Sequence, residues 1–139
     1  MEGDELTRKG ILVVLAAAAT LAVGVPSASA TESFTTHIVF LGTGGSSESD
    51  TTLFGDLNTR PRCRGARTVV LFKKTNSGSR LIDIDLSSFN GAWALRADLT
   101  GSPDLAVQVK REKRNHGRVV CKAATLGLTP SSPEYPRAP

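Results

Sequence analysis

Short runs of alternating apolar and polar residues follow one another between residues 34 and 123, and turn residues separate them. Such alternation is typical of half-buried β-strands, and no helical period recurs in this part of the chain. The pattern therefore predicts an all-β fold, an antiparallel seven-stranded β-sandwich. The seven predicted strands are residues 34–41, 51–58, 67–74, 80–86, 92–99, 105–111 and 119–123.

Two of these runs indicate how their strands lie in the fold. Residues 67–74 are apolar on both faces, which indicates a central strand. Residues 80–86 alternate, so Asp83 and Asp85 are predicted to face solvent and the apolar side chains to face the core. The two carboxylates could hold a cation or a sugar, but a solvated face is the simpler interpretation because no third acidic ligand adjoins them. The predicted inward set is Ile82, Ile84 and Leu86.

Trp93 is the only tryptophan, and it shares one face of its run with Leu95 and Leu99. This position favours a buried core anchor that packs against a disulfide or against neighbouring strands. The alternative is an exposed platform on which a sugar ring stacks, and it would require Trp93 to leave that apolar face.

The remaining segments are interpreted from their composition. Residues 31–50 are predicted to form an N-terminal strand and a flexible Gly/Ser linker, residues 51–126 the sandwich core and residues 127–139 a proline-rich tail. The glycine cluster lacks the Lys-Ser/Thr pair of a phosphate-binding loop. Prolines recur at every third residue of the tail, the period of a polyproline II helix, which favours an exposed spacer or a disordered end.

The N-terminus has the three parts of a secretory signal peptide. Arg8 and Lys9 form a basic region, residues 11–25 are uncharged and apolar, and Ala28-Ser29-Ala30 is a small-x-small cleavage site. We therefore predict a signal peptide over residues 1–30, cleavage after Ala30 and a secreted, extracellular protein. The alternative is an uncleaved membrane anchor, although a spanning helix needs about 20 apolar residues and this segment is shorter.

Cys63 and Cys121 are the only two cysteines in the chain. Outside the cytosol, two lone thiols in a small domain usually form a structural disulfide, and the CxxC spacing of redox and metal sites is absent. We therefore predict a disulfide between Cys63 and Cys121 that closes a loop around the sandwich core.

The length of 139 residues, with 40% hydrophobic and 22% charged residues, fits one globular domain. The net charge of +4 permits contact with anions but does not bear on the fold. Basic residues cluster near both cysteines, so the predicted disulfide would join them into one basic patch. The patch comprises Arg62, Arg64, Arg67, Lys110, Arg111, Lys113, Arg114, Arg118 and Lys122.

An extracellular basic patch is expected to contact an anionic cell-wall polymer, a membrane surface or an acidic protein. A nucleic acid is disfavoured as the partner because no aromatic residues interleave with the basic ones. A solvated face without any ligand is the alternative interpretation.

Several stretches resemble the secreted bacterial modules related to carboxypeptidase-regulatory-like and transthyretin-like β-sandwiches, which have an immunoglobulin-like architecture. The resemblance covers about residues 51–124 and rests on spacing and turn character. It implies a sandwich fold and a binding or structural role, and it carries no catalytic residue onto this chain. The matching stretches are Cys63-x-x-x-Arg67-x-Val69-x-Leu71, Gly91-x-Trp93, Leu105-Ala106-Val107-x-Val109 and Cys121-x-Ala123-Ala124.

Catalytic motifs are not evident in the chain. His37 and His116 are the only histidines, one in a predicted strand and one in a polar turn, and no GxSxG or HExxH motif occurs. No catalytic residue, metal ligand or cofactor is predicted. The sequence favours a secreted noncatalytic binding or structural module, and the alternative is a secreted hydrolase or inhibitor that uses an unidentified loop.

Overall fold

The computed structural model describes residues 30–137, and this part of the chain is all-β with one short 3-10 turn at Pro61–Cys63. Within these residues ten strands form where seven were predicted. β1 and β8 have only three residues each, too few to show an alternation, whereas β10 alternates through Ala124, Leu126 and Leu128 and was missed because it was assigned partly to the tail. The strands are β1 (Glu32–Phe34), β2 (His37–Ser47), β3 (Asp50–Asn58), β4 (Thr68–Thr75), β5 (Gly78–Leu86), β6 (Ala92–Ala97), β7 (Leu105–Val109), β8 (Glu112–Arg114), β9 (Val119–Cys121) and β10 (Ala124–Leu128).

The strands form three sheets. A four-stranded sheet has the order β10-β7-β4-β5, a three-stranded sheet has the order β2-β3-β6, and a small sheet has the order β1-β9-β8. All pairs are antiparallel except β1 with β9, which is parallel. The first two sheets contribute to one apolar core, so the fold is sandwich-like. Core residues from both sheets are Leu53, Leu57, Val69, Leu71, Trp93, Leu95, Val107, Val109 and Leu128.

The prediction of a central strand is confirmed by β4. This strand pairs with β5 on one side and with β7 on the other. Val69, Val70 and Leu71 are all buried, as a run that is apolar on both faces requires.

The predicted orientation of β5 is wrong. Ile84 and Leu86 are 54% and 62% exposed, whereas Asp83 and Asp85 stand opposite buried residues of β4. The carboxylates point inward because the free edge of β6 needs hydrogen-bond acceptors. The Ala94 N–H donates to Asp85 Oδ2 at 2.9 Å, and the Arg96 N–H donates to Asp83 Oδ2 at 2.8 Å.

Trp93 is buried in the larger core, as predicted, and the disulfide belongs to a separate small cluster with Val119 and Phe34. The indole lies against Gly55 of β3, where an added Cβ would stand 2.1 Å from Trp93 Cζ2. Only glycine fits there, as expected for a glycine at a close approach. Burial also removes Trp93 as an exposed platform for a sugar ring.

The predicted flexible linker is wrong, because Gly42 to Ser47 belong to β2, the first strand of a long hairpin with β3. The tail is exposed at most of its described residues, as predicted, but it is not a free spacer or a disordered end. Tyr135 Oη donates to the Pro103 carbonyl at 2.6 Å, and Thr43 Oγ1 donates to the Arg137 carbonyl at 2.7 Å. With Pro136 buried, the tail is packed against the sandwich.

The predicted signal peptide lies, apart from Ala30, outside the described residues. Within residues 30–137, no helix has the length and apolar character needed to span a membrane.

Candidate anion-binding surface

The predicted disulfide is present and joins Cys63, at the end of the 3-10 turn, to Cys121, at the end of β9. The two Cα atoms are 5.5 Å apart and both residues are fully buried. The bond brings the two basic segments of the chain together, but their cations do not form the single patch that the sequence predicted.

Arg67 is not part of the surface, which corrects its place in the predicted patch. Its side chain is 0% exposed and lies between the two cysteine-bearing segments. The Nη1 group donates to Cys63 O at 2.9 Å and to Thr36 Oγ1 at 3.2 Å. The Nη2 group donates to Lys110 O at 2.9 Å and to Lys122 O at 3.0 Å, with a longer contact of 3.5 Å to Cys121 O.

Arg67 is thus a buried cation solvated mainly by backbone carbonyls. Burial lowers its pKa, and the neighbouring Glu112 carboxylate opposes that change. A guanidinium stays protonated at neutral pH and has five donors in a planar fork, so it can serve several carbonyls at once. Its role is to join the start of β4, the end of β7 and the end of β9.

Arg114 is also turned inward. Its guanidinium pairs with Glu112 at 2.9 Å and donates to the carbonyls of Arg62, at 2.8 Å, and Gly65. Both members of the pair are largely shielded from solvent. Arg114 therefore holds the loop before β4 against β8, and it leaves the set of free surface cations.

Arg64 and Arg62 remain at the surface but are partly engaged. Arg64 Nε donates to the Thr59 carbonyl at 3.0 Å, and Arg62 approaches Glu32 at 3.5 Å. An exposed ion pair of that length contributes at most about 1 kcal/mol, so Arg62 can exchange Glu32 for another anion.

Four of the predicted patch residues share the outer face of the small sheet. Lys113 stands opposite Val120 in the β8–β9 ladder, which ends at the pair Glu112–Cys121. Extended by one residue, the same register places Arg111 opposite Lys122. Backbone bonds from Glu32 N to Arg118 O and from Lys122 N to Phe34 O extend the β1–β9 ladder at both ends. Alternation continued past both ends of β9 places Lys122 and one further cation, Arg118, on the face of Val120. The outer face carries Arg111, Lys113, Arg118 and Lys122, all exposed. Lys110, also exposed, is the first residue after β7.

The acidic residues of the small sheet lie on its other face. Glu112 pairs in register with Cys121, and Glu32 with Val119, so both carboxylates point away from the four outer cations. Each carboxylate is already bound to an arginine. Within residues 30–137 the outer cations make no ion pair.

The histidines lie apart. His37 begins β2 and is exposed, and His116 is exposed in the turn before β9. In the part of the chain that the structure describes, no three His, Cys, Asp or Glu side chains come together in a way that could hold a metal ion.

The burial of Arg67 could have been predicted from the alternation of its strand, although not from its charge. Arg67 has the same parity as Val69 and Leu71, so alternation places all three on the buried face of β4.

Comparisons of the chain with protein-family models, with curated proteins and with solved structures found no significant match.

Proposed function

We propose that this protein is a secreted, noncatalytic binding module that holds an anionic partner on the outer face of the small sheet. The observation that carries the proposal is the separation of charge across that sheet. Glu32 and Glu112 lie on one face and are bound to arginines, whereas Arg111, Lys113, Arg118 and Lys122 lie on the other face, exposed and unpaired among the described residues. Such a surface attracts anions over a distance of about 10 Å at moderate salt.

The partner that best fits this face is an extended polyanion of the cell envelope. Arg118 and Lys122 flank the three residues of β9, and four residues of extended chain span about 13 Å. Lys113 lies across the ladder between them. A linear chain of anionic groups can contact all three.

The architecture is proposed to be that of the secreted bacterial modules of the carboxypeptidase-regulatory-like and transthyretin-like type, with an immunoglobulin-like sandwich. The two larger sheets with a shared core support this proposal, as do the matching stretches around the cysteines. The signal-like residues 1–30 support secretion, and a buried disulfide is consistent with an oxidising compartment.

A charge-matched pair of variants tests the proposed surface. The test variant is Lys113→Gln, Arg118→Gln and Lys122→Gln, and the control is Lys74→Gln, Arg80→Gln and Arg137→Gln, whose residues are exposed elsewhere. Binding to polyphosphate is measured by titration calorimetry at two salt concentrations. Three exposed contacts at about 0.5–1 kcal/mol each predict a loss of about ten- to hundredfold in the test variant.

The control variant should bind within about twofold of the parent protein, because its lost charges lie away from the small sheet. Equal weakening of both variants would show that only net charge matters and would refute the surface. Polyglutamate and vesicles that contain phosphatidylglycerol serve as further probes. If either binds more tightly than polyphosphate, the partner is an acidic protein or a membrane instead of a polymer of phosphate groups.

A further inference from the structure

A polar cleft of about 540 Å³ opens between β1, the facing ends of β2 and β3, and the 3-10 turn. This volume is within the range of about 300–1,000 Å³ that is usual for small-molecule sites. Its walls are the segment from Ser33 to His37 on one side and the segment from Asn58 to Arg64 on the other.

The walls of the cleft are tied together before any ligand binds. Thr59 Oγ1 donates to the Thr35 carbonyl at 2.9 Å, across the cleft floor. Behind it, the buried Arg67 guanidinium bonds both Thr36 Oγ1 and Cys63 O. The disulfide fixes the end of the 3-10 turn. A cleft with cross-linked walls loses little entropy on binding, because its residues are already ordered.

The charge of the cleft has one sign. Arg60 and Arg64 line it, and no acidic side chain is among its lining residues. Arg64 is held through its Nε bond to the Thr59 carbonyl, which leaves its two Nη groups for a ligand. A guanidinium with two free Nη groups binds a phosphate or a carboxylate with two parallel hydrogen bonds.

The neutral side chains of the cleft suit a different part of a ligand. Ser33, Thr35 and Asn58 offer hydroxyl and amide groups, which can both donate to and accept from the hydroxyls of a ligand. Phe34, half-buried beside them, packs against the disulfide cluster and adds an apolar part to the cleft wall. The cleft therefore combines cationic groups with hydroxyl-binding groups.

We propose that this cleft is a binding site for a saccharide that carries an anionic substituent, either a phosphate or a carboxylate. Arg60 and Arg64 bind the anion, and Asn58 with Ser33 binds the ring hydroxyls. The site is separate from the outer cations of the small sheet, so it does not require the polymer-binding face. An anionic glycopolymer that reaches both would be held at two points.

Binding is measured by chemical-shift changes in the amide and arginine Nε–H resonances of the whole secreted domain. The probes are glucose 1-phosphate, glucuronate, glucose and inorganic phosphate. We expect saturable shifts at Asn58, Arg60 and Arg64 with a Kd of about 1 mM or tighter for one of the two anionic sugars. Glucose and inorganic phosphate should each bind at least about tenfold more weakly, since glucose lacks the anionic group and inorganic phosphate lacks the ring hydroxyls.

Arg60→Gln and Asn58→Ala are the test variants, and Lys74→Gln is the control. The Arg60 and Asn58 side chains make no hydrogen bond to other described residues, so neither change should disturb the fold, and the spectrum of each variant checks this. Each test variant should weaken sugar binding at least about fivefold, and the control should not. No saturable shift for either anionic sugar, or equal affinity in Arg60→Gln and the parent, would overturn the site. Equal affinity for inorganic phosphate and glucose 1-phosphate would overturn the saccharide assignment.

Because Lys113, Arg118 and Lys122 lie outside the cleft, their triple replacement should leave sugar affinity within about twofold. The outer face and the cleft can therefore be tested separately. If the triple variant loses polyphosphate binding and keeps sugar binding, the result supports both sites. If it loses sugar binding, the result contradicts the independence of the cleft.

Discussion

Replacement of Arg67 by methionine is the most informative perturbation of the fold. The side chain is fully buried, and four of its hydrogen bonds are 3.2 Å or shorter, to Thr36, Cys63, Lys110 and Lys122. Methionine fills a similar length of space with apolar atoms but offers no donor. Three backbone carbonyls and one hydroxyl would then lose a charged partner.

The change in the free energy of unfolding has one destabilising contribution and two that offset part of it. Three carbonyls left without a donor cost about 1–3 kcal/mol each. Removal of the guanidinium also removes the desolvation cost of a buried cation, which amounts to several kcal/mol. Water that enters the vacated space recovers part of the lost hydrogen bonding. We therefore expect Arg67→Met to lower the free energy of unfolding by about 2–4 kcal/mol, a large part of the 5–15 kcal/mol that is usual for a domain.

Arg67→Lys separates charge from geometry. Lysine keeps the positive charge but concentrates its donors on one atom, so it cannot reach carbonyls on both sides of the site. It should destabilise at least as much as methionine, because it still carries the cost of a buried cation. The exposed Lys113→Met should change stability by less than about 0.5 kcal/mol and serves as the control.

Urea denaturation under nonreducing conditions, followed by the fluorescence of the only tryptophan, measures these effects. Trp93 is buried in the main core, so its emission reports global unfolding. A loss below about 1 kcal/mol in Arg67→Met would refute the structural role of its hydrogen bonds. Rescue by lysine would show that charge alone is required.

Three shorter predictions concern the disulfide, β5 and the tail. Loss of the disulfide, whose cysteines are 58 residues apart, should cost about 4 kcal/mol in urea, and two free thiols in the native mass spectrum would contradict it. Asp85→Ala should lower the free energy of unfolding by about 1 kcal/mol, because it removes the acceptor of the Ala94 N–H. Ile84→Ser should change it by less than about 0.5 kcal/mol, because Ile84 is exposed. A larger loss for Ile84→Ser than for Asp85→Ala would instead support the orientation of β5 that was expected from alternation. Burial raises the pKa of Tyr135, helped by Asp104 and Glu48, so its contribution to stability is present below about pH 10 and is lost as the pH rises through the folded-state pKa. Tyrosinate absorbance reports this group alone, since the chain has one tyrosine, and titration at the ordinary pKa would contradict the packed tail.

The parts of the fold that the sequence predicts are those in which a residue's environment follows from its own strand. The run around Val69 and Leu71 has two apolar faces, so its central position follows directly. Trp93 lies on an apolar face and is buried. With only two cysteines in the chain, there was one possible intramolecular disulfide.

The errors arise where the environment depends on a neighbouring strand. Alternation shows that Ile84 and Asp85 point to opposite faces, but not which face is inside. The free N–H groups of β6 decide it, because they need the carboxylates as acceptors. The Gly/Ser segment of β2 is ordered for a similar reason, since its pairing with β3 brings Gly44 beneath the Phe54 ring, 3.0 Å from the position of an added Cβ.

The basic cluster divides into two groups with different roles, and hydrogen-bond acceptors separate them. Where chain segments end against each other, their unpaired carbonyls collect, and Arg67 and Arg114 turn inward to bind them. Cations on the solvent side of the small sheet, such as Lys113 and Lys122, have no such acceptors and stay free for an external anion. The inward arginines also hold the Cys63 segment against β9, so the proposed binding face and the cleft keep their positions relative to each other. A replacement of Arg67 should therefore weaken ligand binding only to the extent that it loosens this junction, whereas replacements on the outer face should weaken polyanion binding without changing stability.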